Sequence, residues 1–294
     1  MTPPLDWQRD GSDWPNRAAS RFVTAGGVRW HVQQLGAGES MLLLHGTGAS
    51  THSWRSLAAP LAARYALLAP DLPGHGFSSA LPDGAQTLAG MAAAVRALLD
   101  ALGVQPTVAV GHSAGAAILA RMVLDGAIAP RHLVSLNGAL LPWRGLPAAL
   151  FSPLARLMAA SDLVPRLFAW RAADRAAVAR LVEGTGSRLD ARGVELYARL
   201  VRAPAHVAGA LAMMANWDLG PLERDLPRLA VPLLLIVGEN DRTVSPAQAK
   251  RVRQLLPTAR IVSLPALGHL AHEEDAARVA ESILSFAAGP EASR

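Results

Sequence analysis

The sequence predicts an α/β protein with a mostly parallel central sheet, helices on both faces and an inserted helical cap. Short apolar runs alternate with helical patterns over residues 41–136 and again over residues 231–286, which is typical of parallel strands joined by helices. Between about residues 141 and 224 the strand signals vanish, and Ala-, Leu- and Arg-rich helical patterns replace them. With 294 residues, of which 51% are hydrophobic, the chain is long enough for one large domain that carries such an insertion.

The predicted boundaries divide the chain into three stretches. Residues 1–140 form the first part of the core domain, residues 141–224 form the helical cap, and residues 225–294 form the second part of the core. Residues 1–20 are polar, and Pro3, Pro4 and Pro15 interrupt any periodicity. We therefore expect an extended arm that lies over the body of the protein.

The core elements follow in order from the apolar pattern. Residues 22–24 and 28–33 flank Ala25-Gly-Gly27, which predicts a hairpin because glycine tolerates the positive φ of a tight turn. Residues 106–124 combine a strand, a sharp turn and a helix of small residues. Other strands are predicted at 41–44, 66–69, 132–136, 231–237 and 261–264, and other helices at 53–63, 88–102, 246–256 and 275–286.

The sharp turn after residue 110 contains the strongest candidate for a nucleophile. The apolar run from Val108 stops at Gly111-His112-Ser113-Ala114-Gly115, a Gly-x-Ser-x-Gly pentapeptide. On so tight a strand-to-helix turn the serine takes strained dihedral angles, and the residues two before and two after it must be small. The pentapeptide alone is a weak signal, but its place between a strand and a helix predicts that Ser113 is a nucleophile.

A serine hydroxyl needs a base within hydrogen-bond reach, and that base needs a carboxylate to orient it. Asp241 ends the run Gly238-Glu-Asn-Asp241, which directly follows the strand predicted at 231–237, and His269 follows the strand predicted at 261–264. Both loops leave carboxyl strand ends, which parallel strands bring to one edge of the sheet. We therefore predict a Ser113–Asp241–His269 triad. His272 is the alternative base, but the pattern His-Leu-Ala-His-Glu places it in the following helix.

Two further sets of residues are predicted around the serine. The backbone N–H groups of Thr47 and Ala114 are candidates for an oxyanion hole, with Gly46 and Gly48 allowing a close approach of that loop. Apolar side chains of the cap, together with Trp54 from the core, are candidate walls for an apolar substrate, with ordinary core packing as the alternative. These pocket candidates are Trp54, Phe168, Trp170, Met213, Met214 and Trp217.

Composition excludes several classes of site and partner. The chain has no cysteine, which excludes disulfides and thiolate metal sites, and its histidine spacing matches no zinc motif. We expect no metal and no cofactor. The formal charge is only +5 and the arginines are scattered, so no nucleic-acid groove is expected.

The sequence shows no signal peptide and no apolar run of about 18 residues, the length a spanning helix needs. We expect a soluble, cytoplasmic protein. The arginines between residues 156 and 202 are expected to form a solvated face, with contact to a membrane surface or an acidic partner as the alternative.

Three motifs together resemble the α/β-hydrolase superfamily. They are the Ser113 turn, the loop His45-Gly-Thr-Gly48 and the turn Asp71-Leu-Pro-Gly-His-Gly76, and the resemblance extends over nearly the whole chain. The order Ser, Asp, His along the sequence is the order that this superfamily uses. The resemblance implies the same fold and triad, with residues 71–76 as a structural turn near the site.

A narrower resemblance lies in the arm and the cap, where general members of the superfamily vary most. The stretches 13–21, 30–33, 137–142, 184–187 and 206–219 look like the magnesium-chelatase accessory hydrolases of bacteriochlorophyll biosynthesis. This resemblance implies a role near magnesium insertion into protoporphyrin IX, or a following tetrapyrrole step, in a phototrophic bacterium. It also implies magnesium-chelatase subunits as partners, but it implies no particular reaction.

Three functions remain open from the sequence. The first is a serine hydrolase that forms an acyl-enzyme with a bulky apolar substrate such as a tetrapyrrole ester. The second is a non-catalytic accessory protein that binds porphyrin or chelatase subunits. The third is a generic esterase, lactonase, carbon-carbon hydrolase or cofactor-free haloperoxidase, since all of these use the same triad.

Overall fold

An eight-stranded sheet forms the centre of the computed structural model, which describes residues 4–82, 84–142, 161, 163–172 and 174–289. The strands are β1 (Ser20–Ala25), β2 (Val28–Leu35), β3 (Glu39–Leu44), β4 (Tyr65–Pro70), β5 (Val108–His112), β6 (His132–Leu136), β7 (Leu233–Gly238) and β8 (Arg260–Leu264). They lie in the order β1-β2-β4-β3-β5-β6-β7-β8. β1 and β2 are antiparallel neighbours, β2 is antiparallel to β4, and all remaining pairs are parallel. The predicted fold class is confirmed.

Helices cover both faces of this sheet. The helices are α1 (Trp7–Asp10), α2 (Ala58–Ala62), α3 (Leu88–Leu102), α4 (Ala114–Leu124), α5 (Leu163–Arg171), α6 (Arg175–Gly184), α7 (Ala191–Val201), α8 (Pro204–Ala215), α9 (Gly220–Asp225), α10 (Ala247–Leu255), α11 (Ala271–Glu274) and α12 (Ala276–Ala287). Within the described ranges, none of them combines the length and the apolar character that a membrane crossing requires. The long helix α3 shows why the prediction succeeded there. Thr87 Oγ1 accepts the Gly90 N–H at its start, and Gly103 (φ 63°) ends it in the left-handed conformation.

The sheet divides the core into two layers because successive side chains of a strand point to opposite faces. Leu42 and Leu44 of β3 pack with α3 and α4, whereas Met41 and Leu43 pack with α2 and α12. All four side chains are fully buried. Each contributes about 1.5–3 kcal/mol relative to an exposed position, so β3 is fixed firmly and the loop that follows it starts from a rigid strand.

The helix predicted at 53–63 is shorter in the structure. A 3-10 turn covers Thr51–Trp54, and α2 begins only at Ala58. Pro60 explains the difference, because proline lacks the N–H that an internal helical position donates and is accommodated only in the first turn.

The N-terminal arm is not extended, contrary to the expectation from its prolines. It contains α1, which Asp6 caps by accepting the Arg9 N–H, and a 3-10 turn at Arg17–Ala19. Trp14 is 2% exposed and donates its Nε1–H to Thr51 Oγ1 at 3.2 Å. Its ring and that of Trp7 both pack edge-on against Phe77. Burial of these aromatic rings outweighs the local preference for an open arm.

Among the described residues between β6 and β7, the helices are α5 to α9, and we refer to them as the helical insertion. Within it, α5 packs on α8, and α7 packs on both α6 and α8. The insertion is joined to the core by a buried cluster in which the Tyr197 hydroxyl donates to Glu273 at 2.8 Å, while Arg55 pairs with the same carboxylate. Residues 143–160 lie outside the described residues, so the predicted limits of 141 and 224 stay a prediction.

Candidate active site

Ser113 lies on a strained turn between β5 and α4, with φ 51° and ψ −116°. Glycines on either side make the turn possible. A Cβ at Gly111 would lie 2.4 Å from the Ala116 nitrogen, and a Cβ at Gly115 would lie 2.2 Å from the Leu44 carbonyl oxygen. The turn therefore needs both glycines, and it holds Ser113 half-buried at the carboxyl end of β5.

Asp241 and His269 meet at the same edge of the sheet. Asp241 follows β7, His269 follows β8, and His269 Nδ1 lies 2.8 Å from Asp241 Oδ2. Since a carboxylate only accepts, we assign the proton to Nδ1, which leaves Nε2 free to act as a base. No hydrogen bond joins Ser113 Oγ to His269 in the described part of the chain.

Asp241 accepts hydrogen bonds from three donors that were not predicted from the sequence. Its Oδ1 accepts the N–H groups of Thr243 at 2.7 Å and Val244 at 2.8 Å. Its Oδ2 also accepts Asn137 Nδ2 at 2.8 Å. Asn137 directly follows β6 with a positive φ of 45°, and a polar residue at that strand end was the available signal. These bonds fix the carboxylate in the orientation that His269 requires.

His112 connects the turn of Ser113 to the loop of His269. Its Nε2–H donates to the His269 carbonyl oxygen at 2.9 Å, and its ring lies 4.5 Å from that of His272. Burial lowers the pKa of His112 well below its usual value and that of His272 to about 3, so both rings are neutral. The Asp241 carboxylate bonds to His269 and makes no bond to His272 within the described residues.

The loop after β3 packs directly against the serine. A Cβ at Gly46 would lie 2.8 Å from Ser113 Cβ, so only glycine allows this approach. His45 holds the loop, because its Nε2 accepts the Leu72 N–H at 2.8 Å and its Nδ1–H donates to the Gly46 carbonyl oxygen. Thr47 lies in this loop, and Ala114 is the first residue of α4, where a backbone N–H has no partner within the helix.

The helical insertion contacts the same loop through α8. The Thr47 hydroxyl donates to Met213 Sδ at 3.5 Å. His206 accepts the Gly76 N–H at 3.0 Å on Nδ1 and donates from Nε2 to the Gly48 carbonyl oxygen at 3.1 Å. Neutral His206 thus bonds the insertion to the loop after β3 and to the turn after β4. Burial lowers the pKa of His206 to about 4.

The two hydrogen bonds of neutral His206 predict that the folded protein becomes less stable in acid. Below pH 6.5 unfolded His206 binds a proton that the folded protein takes up only near pH 4, so stability falls as the pH decreases through this window. We expect His206 to contribute a loss of about 3 kcal/mol between pH 7 and pH 4. Urea unfolding at both pH values checks this, because His206→Gln should lose that much less stability on acidification. Equal losses in both proteins would contradict the prediction.

The predicted pocket residues have different environments. Met213 is fully buried against Thr47, and Met214 and Trp217 are half-buried on and just after α8. Trp54 packs inside the core layer formed with α2 and α12, 5.0 Å from the His272 ring. Trp170 is 71% exposed, and the side chain of Phe168 lies outside the described residues.

A second buried Asp–His pair joins the turn after β4 to strand β2. Asp71 accepts His31 Nδ1 at 2.8 Å, the Thr51 N–H at 2.7 Å and the Phe77 N–H at 2.9 Å. Burial alone would raise the pKa of Asp71, but the His31 pair and the N–H donors outweigh it and hold the pKa well below its usual range. The Asp71–His31 pair stabilises the turn of residues 71–76, which was expected to be a structural turn.

No group of three or more His, Asp or Glu side chains among the described residues is arranged to hold a metal ion. A hydroxyl on a strained turn and an imidazole oriented by a carboxylate are suited to acyl transfer.

Comparisons with known proteins agree with this architecture. Residues 39–276 match the family described as the alpha/beta hydrolase fold. The magnesium-chelatase 30 kDa subunit of Rhodobacter capsulatus is 39% identical over 280 residues, covering 95% of this chain and 98% of that protein. The 2-hydroxy-6-oxo-6-phenylhexa-2,4-dienoate hydrolase of Burkholderia cepacia is 26% identical over 285 residues, covering 92% and 96%.

A solved structure has the same fold. An alpha/beta hydrolase fold protein from Burkholderia ambifaria superposes with a TM-score of 0.77 at 23% identity, covering 97% of this chain and all of that one. Together with the family match over most of the sequence, this similarity identifies the fold family, and the chain belongs to the α/β hydrolases.

Proposed function

We propose that the protein is a serine hydrolase in which Ser113 is the nucleophile, His269 the general base and Asp241 the group that orients it. The proposal rests on one observation above all, the buried 2.8 Å contact between His269 Nδ1 and Asp241 Oδ2 at the sheet edge that carries the strained Ser113 turn. Membership in the α/β-hydrolase family supports it.

The proposed reaction has two halves. Ser113 Oγ attacks the substrate carbonyl carbon while His269 Nε2 takes the hydroxyl proton, and the resulting imidazolium is stabilised through Nδ1–H by Asp241. The N–H groups of Thr47 and Ala114 stabilise the oxyanion. His269 then donates the proton to the leaving group. Water attacks the acyl-enzyme with His269 again as base, which releases the acid and restores Ser113.

We further propose that the helical insertion is a cap that selects a bulky apolar substrate. The contact of Met213 with Thr47 brings an apolar side chain of the insertion to the proposed oxyanion loop. The relative from Rhodobacter capsulatus is named as a magnesium-chelatase subunit, which favours a tetrapyrrole ester among apolar substrates. An ester, lactone or carbon-carbon bond in another apolar substrate is the generic alternative, and the similarity to the Burkholderia cepacia hydrolase supports it.

A second candidate is a non-catalytic accessory protein that binds a tetrapyrrole or magnesium-chelatase subunits. The relative's name favours this role, because a subunit need not itself catalyse a reaction. The two candidates differ in what a Ser113→Ala strain would do. In a bacterium that depends on this protein for bacteriochlorophyll, a normal bacteriochlorophyll content with Ser113→Ala would favour the binding protein if replacement of Trp217 lowers that content.

Reaction with a fluorophosphonate tests the first proposal directly. We expect the folded protein to be labelled once, at Ser113, and the heat-denatured protein not at all, because only the folded site activates the hydroxyl. Mass spectrometry of the labelled peptide identifies the serine. A folded sample that stays unlabelled at Ser113 would overturn the hydrolase proposal. Hydrolysis of p-nitrophenyl esters and tetrapyrrole esters then defines the substrate class.

A further inference from the structure

The segment Thr185 to Arg188 belongs to the helical insertion but packs against the core loops that carry Asp241 and His269. It connects α6 to α7. The Thr185 carbonyl oxygen accepts the N–H of Arg242 at 3.0 Å. Ser187 Oγ accepts the N–H of Leu270 at 2.8 Å. Arg242 and Leu270 are the residues directly after Asp241 and His269, so these two bonds fix the backbone next to both groups.

The residue before His269 is held as well. Glu274 Oε2 accepts the Arg188 N–H at 3.0 Å, and its Oε1 accepts the Gly268 N–H at 2.8 Å. A single carboxylate thus joins the segment to the start of the His269 loop. The hydrogen bond at Gly268 lies on the opposite side of His269 from the one at Leu270.

Gly186 completes the contact by close packing. A Cβ at Gly186 would lie 1.9 Å from the Asn240 carbonyl oxygen, and a Cβ at Gly268 would lie 2.3 Å from the Gly186 carbonyl carbon. Gly186 also has a positive φ of 86°, which favours glycine on backbone grounds alone. The segment therefore touches the residues on both sides of Asp241 and on both sides of His269.

We infer that residues 185–188 position the acid and the base relative to each other, with Ser187 as the main positioning residue. The inference rests on the proposed hydrolase function. Ser187 is fully buried, so its loss leaves the Leu270 N–H without an acceptor and frees the end of the His269 loop. A shift of about 1 Å in such a pair lowers the rate of the chemical step about 100-fold.

The test is the rate constant for labelling of Ser113 by excess fluorophosphonate in the full-length protein. This rate constant reports how well each folded site activates the hydroxyl, whereas the final extent of labelling reports how many sites are folded. We expect Ser187→Ala to lower the rate constant about 10- to 100-fold at an unchanged extent. With a short p-nitrophenyl ester, kcat should fall in parallel and KM should stay the same, because the segment acts through Asp241 and His269.

Ser78→Ala is the matched control. Ser78 is also buried and its Oγ accepts a backbone N–H, that of His31 at 2.9 Å, on the turn after β4. Its replacement removes the same kind of accepted bond, together with the bond that Ser78 Oγ donates to the Asp71 carbonyl oxygen at 2.7 Å, and should leave the labelling rate constant within about 3-fold of that of the unaltered protein.

A second variant covers the case in which Ser187→Ala does not fold. Glu274→Gln replaces one accepting oxygen by an amide that only donates, so one of the bonds to Arg188 and Gly268 is lost. Glu274 is only half-buried, and we expect this variant to fold and to label at least 5-fold more slowly.

The outcomes separate the inference from the proposed function. If the unaltered protein is not labelled, the hydrolase proposal fails. If it is labelled and the variants at Ser187 and Glu274 react at the same rate, only the positioning role is wrong. Equal slowing by Ser187→Ala and Ser78→Ala would likewise overturn it, because a general loosening of the fold would then explain both.

Discussion

Replacement of Ser113 by alanine is expected to lower kcat for ester hydrolysis by about 10⁴- to 10⁶-fold, because the nucleophile and its base act as a unit. Stability should change little. Alanine adopts the same strained φ of 51° as serine, and no hydrogen bond of the hydroxyl is lost within the described residues. Steady-state kinetics on p-nitrophenyl butyrate, with thermal unfolding in parallel, measures both quantities.

Two histidine variants serve as a matched pair for the same experiment. His269→Gln should lose activity to a similar degree, since it removes the base that Asp241 orients. His272→Gln should keep activity within about 10-fold, although His272 is also buried and only three residues away. Ser113→Ala retaining more than about 1% of kcat, or the two histidine variants behaving alike, would contradict the proposed roles.

Replacement of Asp71 by alanine is expected to destabilise the protein by about 3–5 kcal/mol. The change leaves His31 Nδ1 and the N–H groups of Thr51 and Phe77 without their shared acceptor in a fully buried region. Urea unfolding at pH 7 measures the loss. The rate of labelling per folded molecule should stay nearly unchanged, because Asp71 lies outside the proposed triad.

Asp100→Ala is the control for that measurement. Asp100 forms an exposed pair with Arg96 along α3, and loss of such a pair changes stability by about 0.5 kcal/mol or less. A change below about 1 kcal/mol for Asp71→Ala would show that other groups satisfy the buried donors and would contradict the expected role of the turn.

The two Asp–His pairs illustrate what the sequence can and cannot predict. Asp71 directly follows β4, Asp241 lies in the loop after β7, and both hold a histidine Nδ1 at 2.8 Å. The strand pattern and the glycine-bounded serine predicted the sheet and the edge at which Asp241 and His269 meet. Spacing along the chain does not report that His31 lies within β2 among aromatic rings.

Residues that act through long-range hydrogen bonds escaped prediction for a related reason. Ser187 and Leu270 are separated by 83 positions, and Asn137 and Asp241 by 104. Neither pair has a local pattern of hydrophobicity or turn residues that would connect them. The folded arm was missed because burial of Trp7 and Trp14 depends on partners that only the tertiary structure brings together.

The contact made by residues 185–188 also limits how the sequence of the helical insertion can change and how the insertion can be replaced by that of a related hydrolase. Chimeras that transplant the whole stretch between β6 and β7 from a related hydrolase would bring a foreign segment against Asn240, Arg242, Gly268 and Leu270. Recombination that keeps 185–188 with the parental core and exchanges only the flanking helices should yield active hybrids more often. Changes in substrate preference are then expected to accumulate in α5 and α8, while this four-residue link changes only in concert with the loops that it touches.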